Sequence, residues 1–281
     1  MKVFLFSHRG ALGDFVLTWP ALVGLRWKHP EHRFLGLGRP DYLKLAREMG
    51  MVDMWMDCED ADLLPFYSGE ALPKALEGVD SALLWMEENA KVRTLLSGKA
   101  QGTIRLHPPV PGNGNHAMDH HMQALAHFSL PAMAENDPYF PISAQRQDYA
   151  LIHPGSGSAG ENYDPEFYAF LANEIKSRRH PDTRIVLGPG EKDLKSRYEN
   201  RFPVEEPRSA LELAMLLGKA SLFIGNDSGV SHLAAILGTK TLAMYKNTDP
   251  VVWGVRGRAA QTIEAVNEAI AMTRVQKALQ G

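Results

Sequence analysis

Three loops in this chain of 281 residues carry side chains suited to nucleotide binding and acid–base chemistry. In the first, residues 7–14 read Ser-His-Arg-Gly-Ala-Leu-Gly-Asp, where two glycines permit a tight turn and Asp14 offers a carboxylate. Two roles are open for Asp14 at this point, the N-cap of the following helix or a catalytic base. The loop lacks the G-x-G-x-x-G spacing of dinucleotide-binding folds and the Gly-Lys-Ser/Thr of a P-loop.

The other two loops combine glycine with hydroxyl side chains. Residues 153–158 read His-Pro-Gly-Ser-Gly-Ser, and residues 225–232 read Gly-Asn-Asp-Ser-Gly-Val-Ser-His. Glycine lets the backbone approach a ligand, serine supplies a donor, and a helix that starts in the third loop would direct its N–H groups at a diphosphate. The alternatives are an ordinary glycine-rich turn for the second loop and, for the third, an Asp227 N-cap with His232 packed behind it.

Histidine-rich segments are weaker candidates for chemistry. His116 and His120 are four residues apart on a predicted helix, but no H-E-x-x-H arrangement accompanies them, so no metal site is predicted. A second cluster, residues 28–33, contains two histidines, a lysine and an arginine. Such a basic cluster is typical of a solvated surface or of contact with an anionic substrate.

The composition of the chain excludes several classes of protein. Apolar residues make up 44% and charged residues 22%, as in ordinary globular domains, and the net charge of −3 gives no general attraction to nucleic acid. The single cysteine, Cys58, has no partner for an internal disulfide. Too few apolar residues follow Lys2 for a signal peptide, and no run of about 18 apolar residues suggests a membrane span. We expect a cytoplasmic globular protein.

An alternation of short apolar runs and amphipathic stretches must position the three loops. It continues up to residues 129–148, a stretch rich in proline that is predicted as a linker, and then restarts. Such alternation predicts an α/β fold with parallel sheets covered by helices, in two lobes, residues 1–145 and 146–281. Single helices are predicted over residues 15–28 and, at the end of the chain, over residues 259–279.

Taken together, the motifs resemble those of glycosyltransferase family 9, the lipopolysaccharide heptosyltransferases and their relatives. Residues 1–30 are similar to the family's opening, with Leu-Gly-Asp before an apolar helix that contains Trp-Pro-Ala-Leu. Residues 153–157 resemble its His-Pro-Gly-Ser-Gly loop, and residues 225–233 its Asp-Ser-Gly-x-x-His-Leu signature. Residues 248–253, with Thr-Asp-Pro and a tryptophan, resemble the segment that follows. Four motifs in the right order make the resemblance specific.

The resemblance implies a GT-B fold, in which two Rossmann-like doubly wound lobes face each other across a cleft. It implies that residues 1–145 hold the acceptor side and residues 146–281 bind the nucleotide-sugar. The implied activity is inverting, metal-independent transfer of a sugar, expected to be heptose from ADP-heptose, to a lipopolysaccharide core or related glycan. The expected partners are this donor and a glycan or lipid-linked glycan acceptor, with no nucleic acid and no cofactor. Peripheral contact with the inner face of the membrane is an open alternative to a purely cytoplasmic location.

The resemblance also implies roles for individual residues. Asp14 takes the position of the catalytic base, and Arg9 and Gly13 lie beside it on the acceptor side. Glu191 takes the position of the acidic residue near the ribose or base. The other residues implied at the donor site are Ser156, Gly157, Asp227, Ser228, Gly229 and His232.

Two positions depart from the family pattern. Glu161 stands where the family carries a lysine against the phosphates, and Lys246-Asn247 replaces the family's Gly-Pro before Thr-Asp-Pro. Because a carboxylate repels a diphosphate, we expect Lys246 to supply the displaced positive charge and count it among the donor-binding residues. Two alternatives stay open: a non-catalytic nucleotide-sugar-binding protein, which Glu161 favours, and a GT-B enzyme of another reaction type, such as an epimerase.

Overall fold

The chain divides into two compact units, Met1–Glu135 and Asn136–Gly281. The computed structural model describes residues 2–112, 114–131, 140, 142, 145–178 and 180–280. Much of the predicted linker lies outside the described residues, and the predicted boundary at residues 145 and 146 stays a prediction. Among the described helices, none combines the length and the apolar character that crossing a bilayer requires.

The first unit is built on a parallel sheet with helices between its strands. Its strands are β1 (Lys2–His8), β2 (His32–Gly38), β3 (Met54–Asp57), β4 (Val79–Trp85) and β5 (Ile104–His107). Its helices are α1 (Leu12–Leu17), α2 (Trp19–Lys28), α3 (Pro40–Glu48), α4 (Leu64–Tyr67), α5 (Ala90–Ser97) and α6 (Ala117–Gln123). Short 3₁₀ turns cover Ala61–Leu63, Lys74–Leu76 and Ala124–Phe128. The strand order is β3-β2-β1-β4-β5, which puts β1 at the centre.

The second unit repeats the plan with a sheet of six parallel strands. Its strands are β6 (Ala150–His153), β7 (Thr183–Val186), β8 (Val204–Glu205), β9 (Leu222–Asn226), β10 (Lys240–Tyr245) and β11 (Ala260–Glu264). Its helices are α7 (Pro165–Arg178), α8 (Lys195–Tyr198), α9 (Ala210–Lys219), α10 (Gly229–Ile236), α11 (Pro250–Trp253) and α12 (Glu268–Gln280). Ala159–Glu161 and Pro189–Leu194 form 3₁₀ turns. The strand order is β11-β10-β9-β6-β7-β8.

Both sheets have the doubly wound strand order, so the predicted α/β fold is confirmed. In such sheets the chain winds outward on one side of the first strand, then crosses to its other side and winds in the opposite direction. The place where the direction changes is the switch point, and ligands bind there, beyond the carboxyl ends of the strands. The switch lies between β1 and β4 in the first unit and between β6 and β9 in the second. The three loops singled out in the sequence follow β1, β6 and β9. Each therefore leaves its sheet at a switch point.

The helix predicted over residues 15–28 is wrong as a single element. The chain forms α1 and α2 instead, and Pro20 is the second residue of α2. Proline has no N–H to donate to the preceding turn, so an uninterrupted helix would lose a hydrogen bond there. The hydroxyl of Thr18 donates to the carbonyl of Phe15 at 2.7 Å and closes α1 at the break.

The helix predicted over residues 259–279 is also wrong in its first part. Residues Ala260–Glu264 form β11, which pairs in parallel with β10 at the edge of the sheet, and α12 begins only at Glu268. Ile263 and Ala265 are buried in the hydrophobic core of the second unit. The backbone of β10 supplies the hydrogen-bond partners of this strand, and the local sequence pattern does not reveal them.

Aromatic packing holds α1 against the first sheet. Phe15 is buried, and its ring centroid lies 6.1 Å from that of Phe6 and 6.2 Å from that of Trp19. Phe6 in turn packs edge-on against Trp85, with centroids 4.9 Å apart. Because Phe15 directly follows Asp14 in α1, this packing fixes the helix that carries the carboxylate.

The close approach of β2 to β1 gives a testable difference between two glycines. A Cβ at Gly38 would lie 2.5 Å from the backbone oxygen of His8, whereas a Cβ at Gly36 would meet the flexible side chain of Leu43 at 2.7 Å. We expect Gly38→Ala to lower the free energy of unfolding by about 1–3 kcal/mol, because backbone cannot move aside as a side chain can. Gly36→Ala should have a clearly smaller effect. Urea unfolding measures both, and equal losses would contradict the close contact of the two strands.

Candidate functional site

Asp14 lies in the first turn of α1, at the switch point of the first sheet. The helix has Ala11 at its N-cap position, so the alternative that made Asp14 the N-cap is wrong. Instead, Oδ2 of Asp14 accepts the backbone N–H of Ala11 at 3.2 Å. A carboxylate has about four acceptor sites, and Asp14 is partly exposed. The group can therefore accept a further hydrogen bond from a substrate hydroxyl.

His8 is a buried neighbour of Asp14 to which the sequence analysis assigned no role. Neither ring nitrogen has a hydrogen-bond partner within the described part of the chain, and the ring packs against Phe15 and Trp85. His8 and Asp14 both flank Gly10, since a Cβ at that position would lie 2.8 Å from Cε1 of His8 and 3.0 Å from Oδ2 of Asp14. Burial lowers the pKa of His8 from its ordinary value of 6.5 to about 4. The sequence feature that could have identified His8 is its position, since it is a polar residue at the carboxyl end of a buried strand.

The two residues predicted on the acceptor side share a loop with Asp14. Gly13 is in the first turn of α1, and Arg9 is exposed, with its guanidinium 4.4 Å from the ring centroid of Tyr67. Burial raises the pKa of Tyr67 to about 12, so this ring stays neutral and its hydroxyl donates to the carbonyl of Cys58 at 3.3 Å. The stacking holds the Arg9 cation at the carboxyl edge of the sheet.

Three other histidines come together at this edge. One ring nitrogen each of His107, His120 and His121 lies within 4.8 Å of the others, and all three residues are buried. His107 and His120 contact backbone carbonyls through Nε2 at 2.9 and 2.8 Å, and Nδ1 of His121 accepts the indole N–H of Trp85 at 2.8 Å. That indole bond uses the lone pair of His121, which works against a shared metal. The predicted absence of a metal in the reaction stays a prediction.

Asn226, the last residue of β9, joins the second loop to the third. Its side chain is fully buried, and its amide donates to the carbonyl of Pro154 at 3.1 Å and to Oδ1 of Asn162 at 3.0 Å. Its own Oδ1 accepts the hydroxyl of Tyr168 at 2.8 Å. Burial raises the pKa of Tyr168, so the hydroxyl keeps the proton that it donates. Asn226 is part of the third loop, but no sequence pattern indicated this role.

The third loop leads into α10, whose N-cap is Ser228. The hydroxyl oxygen of Ser228 accepts the backbone N–H three residues further on at 3.3 Å. The alternative that made Asp227 the N-cap is therefore wrong, and its carboxylate lies 3.7 Å from Nε2 of His232. Gly229 is the first residue of the helix, and the N–H groups of a first helical turn have no acceptor within the helix. This end of α10 suits a ligand anion.

Glu191 packs against the second loop. Its Oε2 lies 3.6 Å from Nε2 of His153 and accepts the backbone N–H of Gly188 at 2.8 Å. The interaction with His153 is the main reason that the pKa of Glu191 is lowered. A Cβ on Gly155 would overlap the carboxylate, so only glycine allows the loop to lie this close. Glu191 thus supports the loop, and its contact with a ribose stays a prediction.

Ser156 and Gly157 form the tip of the second loop. The hydroxyl of Ser156 donates to the carbonyl of Ser158 at 2.6 Å and accepts the N–H of the same residue at 3.2 Å. Gly157 is exposed. The serine therefore fixes the turn, and the glycine leaves its backbone accessible to a ligand.

Residues 246–248 hold residues 160–162 through three consecutive side chains. The contacts join Lys246 Nζ to the Asn162 carbonyl (2.9 Å), the Asn247 amide to the Gly160 carbonyl (2.8 Å) and the Thr248 hydroxyl to Glu161 Oε1 (3.3 Å). Lys246 also lies 5.3 Å from the ring centroid of Tyr163. The two departures from the family pattern, Glu161 and Lys246, are therefore on segments in direct contact.

Three of the residues predicted at the donor site, Glu191, Ser228 and Lys246, are connected through Asn226 and the loop after β6. Asn226 binds the loop after β6, Lys246 reaches the same loop through Asn162, and Ser228 follows Asn226 by two residues. Glu191 joins the network through His153, at the start of that loop. Ser156 and Gly157 lie further out, at the loop tip.

The buried imidazole of His8 makes the stability of the protein depend on pH. Its folded pKa of about 4 is below the ordinary 6.5, so unfolding takes up a proton between these two pH values. The free energy of unfolding therefore falls as the pH drops from 6.5 to 4, by up to about 3 kcal/mol from His8 alone. Urea unfolding across this range should show a shallower pH slope for His8→Phe, which keeps an aromatic ring. An unchanged slope would contradict the buried neutral state of His8.

Residues 115–280 match the family model described as glycosyltransferase family 9 (heptosyltransferase). The match includes the loops of residues 153–158 and 225–232, and the Asp14 loop precedes it. Lipopolysaccharide heptosyltransferase 3 of Escherichia coli is 24% identical over 165 residues, which are 51% of this chain and 48% of that protein. The chain thus aligns with about half the length of this relative.

Solved heptosyltransferases share the fold over nearly the whole chain. The E. coli heptosyltransferase WaaC with ADP has a TM-score of 0.77 at 16% identity, with 99% of this chain and 100% of that chain covered. The E. coli ADP-heptose lps heptosyltransferase II has a TM-score of 0.77 at 13% identity, with 100% and 99% covered. The likeness shows that the fold is that of the GT-B heptosyltransferases. Since the family model covers more than half of the sequence, the chain belongs to glycosyltransferase family 9, the heptosyltransferase family.

Proposed function

We propose that the protein is an inverting, metal-independent glycosyltransferase that moves heptose from ADP-heptose to a lipopolysaccharide core or a related glycan. The observation that carries the proposal is the network around Asn226, which joins the N-terminal end of α10 to the loop held by Lys246. The choice of donor is supported by the ligands of a structural neighbour. WaaC has been solved with ADP and with ADP-2-deoxy-2-fluoro heptose.

In the proposed reaction, Asp14 removes the proton from an acceptor hydroxyl while that oxygen attacks the anomeric carbon. The bond from the anomeric carbon to the diphosphate oxygen breaks on the opposite face, and the diphosphate leaves with the electron pair, so the configuration inverts. The first N–H groups of α10 and the hydroxyl of Ser228 stabilise the charge that develops on the leaving group. Lys246 supplies the cation. These groups together account for leaving-group stabilisation without a metal.

On the acceptor side, we propose that Arg9 and Gly13 contact the glycan. The stacking of Arg9 on Tyr67 limits the freedom of its guanidinium, which lowers the entropy lost when it binds an acidic group of the acceptor. Gly13 has no side chain, so a sugar ring of the acceptor can approach the first turn of α1 closely. A lipid-linked acceptor would bring the protein to the inner face of the membrane.

Asp14→Asn tests the proposed base. The amide cannot take a proton, so we expect the transfer rate to fall by about 10²–10⁴-fold. ADP affinity should not change, because the proposed donor residues belong to the second unit. Heptose transfer from ADP-heptose to heptose-free lipopolysaccharide gives the rate, and calorimetry gives the affinity. The control is Glu268→Gln, which changes the acidic residue in the first turn of α12. Transfer at the original rate by Asp14→Asn would remove Asp14 as the base.

Lys246→Ala tests whether this lysine supplies the displaced charge. We expect the dissociation constant for ADP to rise by about 10–100-fold, because a charge-assisted contact with the diphosphate is lost. Lys246→Arg keeps the charge and should bind more tightly than the alanine variant. Lys240→Ala, which removes an exposed lysine at the start of β10, is the control. Calorimetry that finds unchanged ADP affinity in Lys246→Ala would rule out the compensation.

A second candidate function is nucleotide-sugar binding without transfer. The hydroxyl of Thr248 donates to the carboxylate of Glu161. This carboxylate favours the second function, because its negative charge destabilises the additional negative charge that develops on the diphosphate when the sugar bond breaks. Calorimetry with ADP, UDP and GDP, paired with a donor-hydrolysis assay, separates the two functions. Binding with turnover supports the transferase, binding without turnover supports the binding protein, and failure of all three nucleotides to bind would contradict both.

A further inference from the structure

The turn between α2 and β2 gathers histidines and carboxylates at the amino edge of the first sheet. The backbone N–H of His32 donates to the carbonyl of His29 at 3.1 Å, which closes the turn around Glu31. Asp80, in β4, lies beside the turn. By sequence alone, residues 28–33 are a basic cluster. The tertiary structure makes it a mixed site, because it adds two carboxylates to the two imidazoles.

Asp80 determines which nitrogen of His32 carries the proton. Nε2 of His32 lies 2.9 Å from Oδ2 of Asp80, and the histidine side chain is only 3% exposed. A carboxylate accepts hydrogen bonds, so Nε2 is the donor, and Nδ1 is the ring nitrogen that can offer a lone pair to a metal. A carboxylate that accepts the outer N–H of a histidine is the arrangement that orients imidazole ligands in metal sites.

Three potential ligand atoms converge on the other side of His32. Nδ1 of His32 and Nε2 of His29 are buried, and no residue in the described ranges forms a hydrogen bond with either atom. Oε1 of Glu31 lies 2.9 Å from Nδ1 of His32, again without hydrogen-bond geometry. One ligand atom from each of the three residues lies within 4.8 Å of the other two. Lone pairs this close repel one another unless positive charge lies between them.

The charges around the cluster favour a cation. The carboxylates of Glu31 and Asp80 each lie 2.9 Å from a ring nitrogen of His32. Lys2 lies 3.9 Å from Asp80 and balances part of its charge, and the 57% exposure of Glu31 leaves a path from solvent.

We propose that His29, Glu31 and His32 bind a divalent transition metal, with zinc as the expected ion, while Asp80 orients His32 and water completes the coordination. Two imidazole nitrogens and one carboxylate oxygen are a ligand set that zinc uses, with a fourth position left for water. The site is at the start of β2, and the strands run about 20 Å to the opposite edge, where Asp14 lies. The inference therefore does not rest on the proposed function, and the metal takes no part in sugar transfer.

The test uses the full-length chain after chelator treatment. Zinc is added in a calorimeter, and cobalt is added while visible absorption is recorded. We expect zinc binding, cobalt absorption bands of a low-coordinate site, and a rise in melting temperature with zinc. Glu31→Gln changes an exposed side chain, so this variant should fold, and it should lose most of the binding and the thermal shift. His29→Gln should do the same, and Asp80→Asn should weaken binding by about 10–100-fold.

The matched control is His107→Gln, which removes a member of the separate group formed by His107, His120 and His121. It should bind zinc as the unmodified chain does, and Glu31→Gln should bind ADP as the unmodified chain does. Zinc binding that is lost in His107→Gln and retained in Glu31→Gln would assign the metal to the other group and overturn the proposal. Absence of zinc binding at micromolar concentrations would also overturn it.

Discussion

A single buried amide, the side chain of Asn226, holds together the loops at the switch point of the second sheet. Asn226 has no exposure to water, so each of its polar atoms needs a partner inside the protein. The partners are on the loop after β6 and on Tyr168 of α7, which places that loop over the end of β9. Since Ser228 caps α10 only two residues later, the loop and the helix N-terminus are positioned by the same side chain. A polar network of this kind is worth more in the interior than in water.

The two switch points present different groups on the same kind of sheet. Both sheets have the doubly wound order, yet the loop after β1 presents the partly exposed carboxylate of Asp14, whereas the loops after β6 and β9 present serine hydroxyls and the N–H groups that begin α10. A carboxylate suits proton transfer. Backbone and side-chain donors suit a polyanion. The chemistry therefore resides in the loops and not in the sheets.

The contact between residues 246–248 and residues 160–162 joins the two positions at which this chain departs from the family pattern. Each of three consecutive side chains holds the facing segment, so a cation on one segment lies close to the place where the pattern puts a cation on the other. Formally, the positive charge of Lys246 balances the negative charge of Glu161. Glu161 and Lys246 are best considered as a coupled pair.

The sequence by itself determined the alternation of strands and helices, the two-unit plan and the three loops, because apolar periodicity and glycine content are local properties. It did not determine that Ala260–Glu264 is a strand, since the partner β10 decides that. Nor did it distinguish Ser228 from Asp227 as the N-cap, since both residue types cap helices well and only the backbone geometry selects one. The tertiary structure alone decided the partners of Asn226 and His32. Those contacts join residues from different strands and loops, in the case of His32 and Asp80 across 48 positions, and a single sequence does not record distances in space.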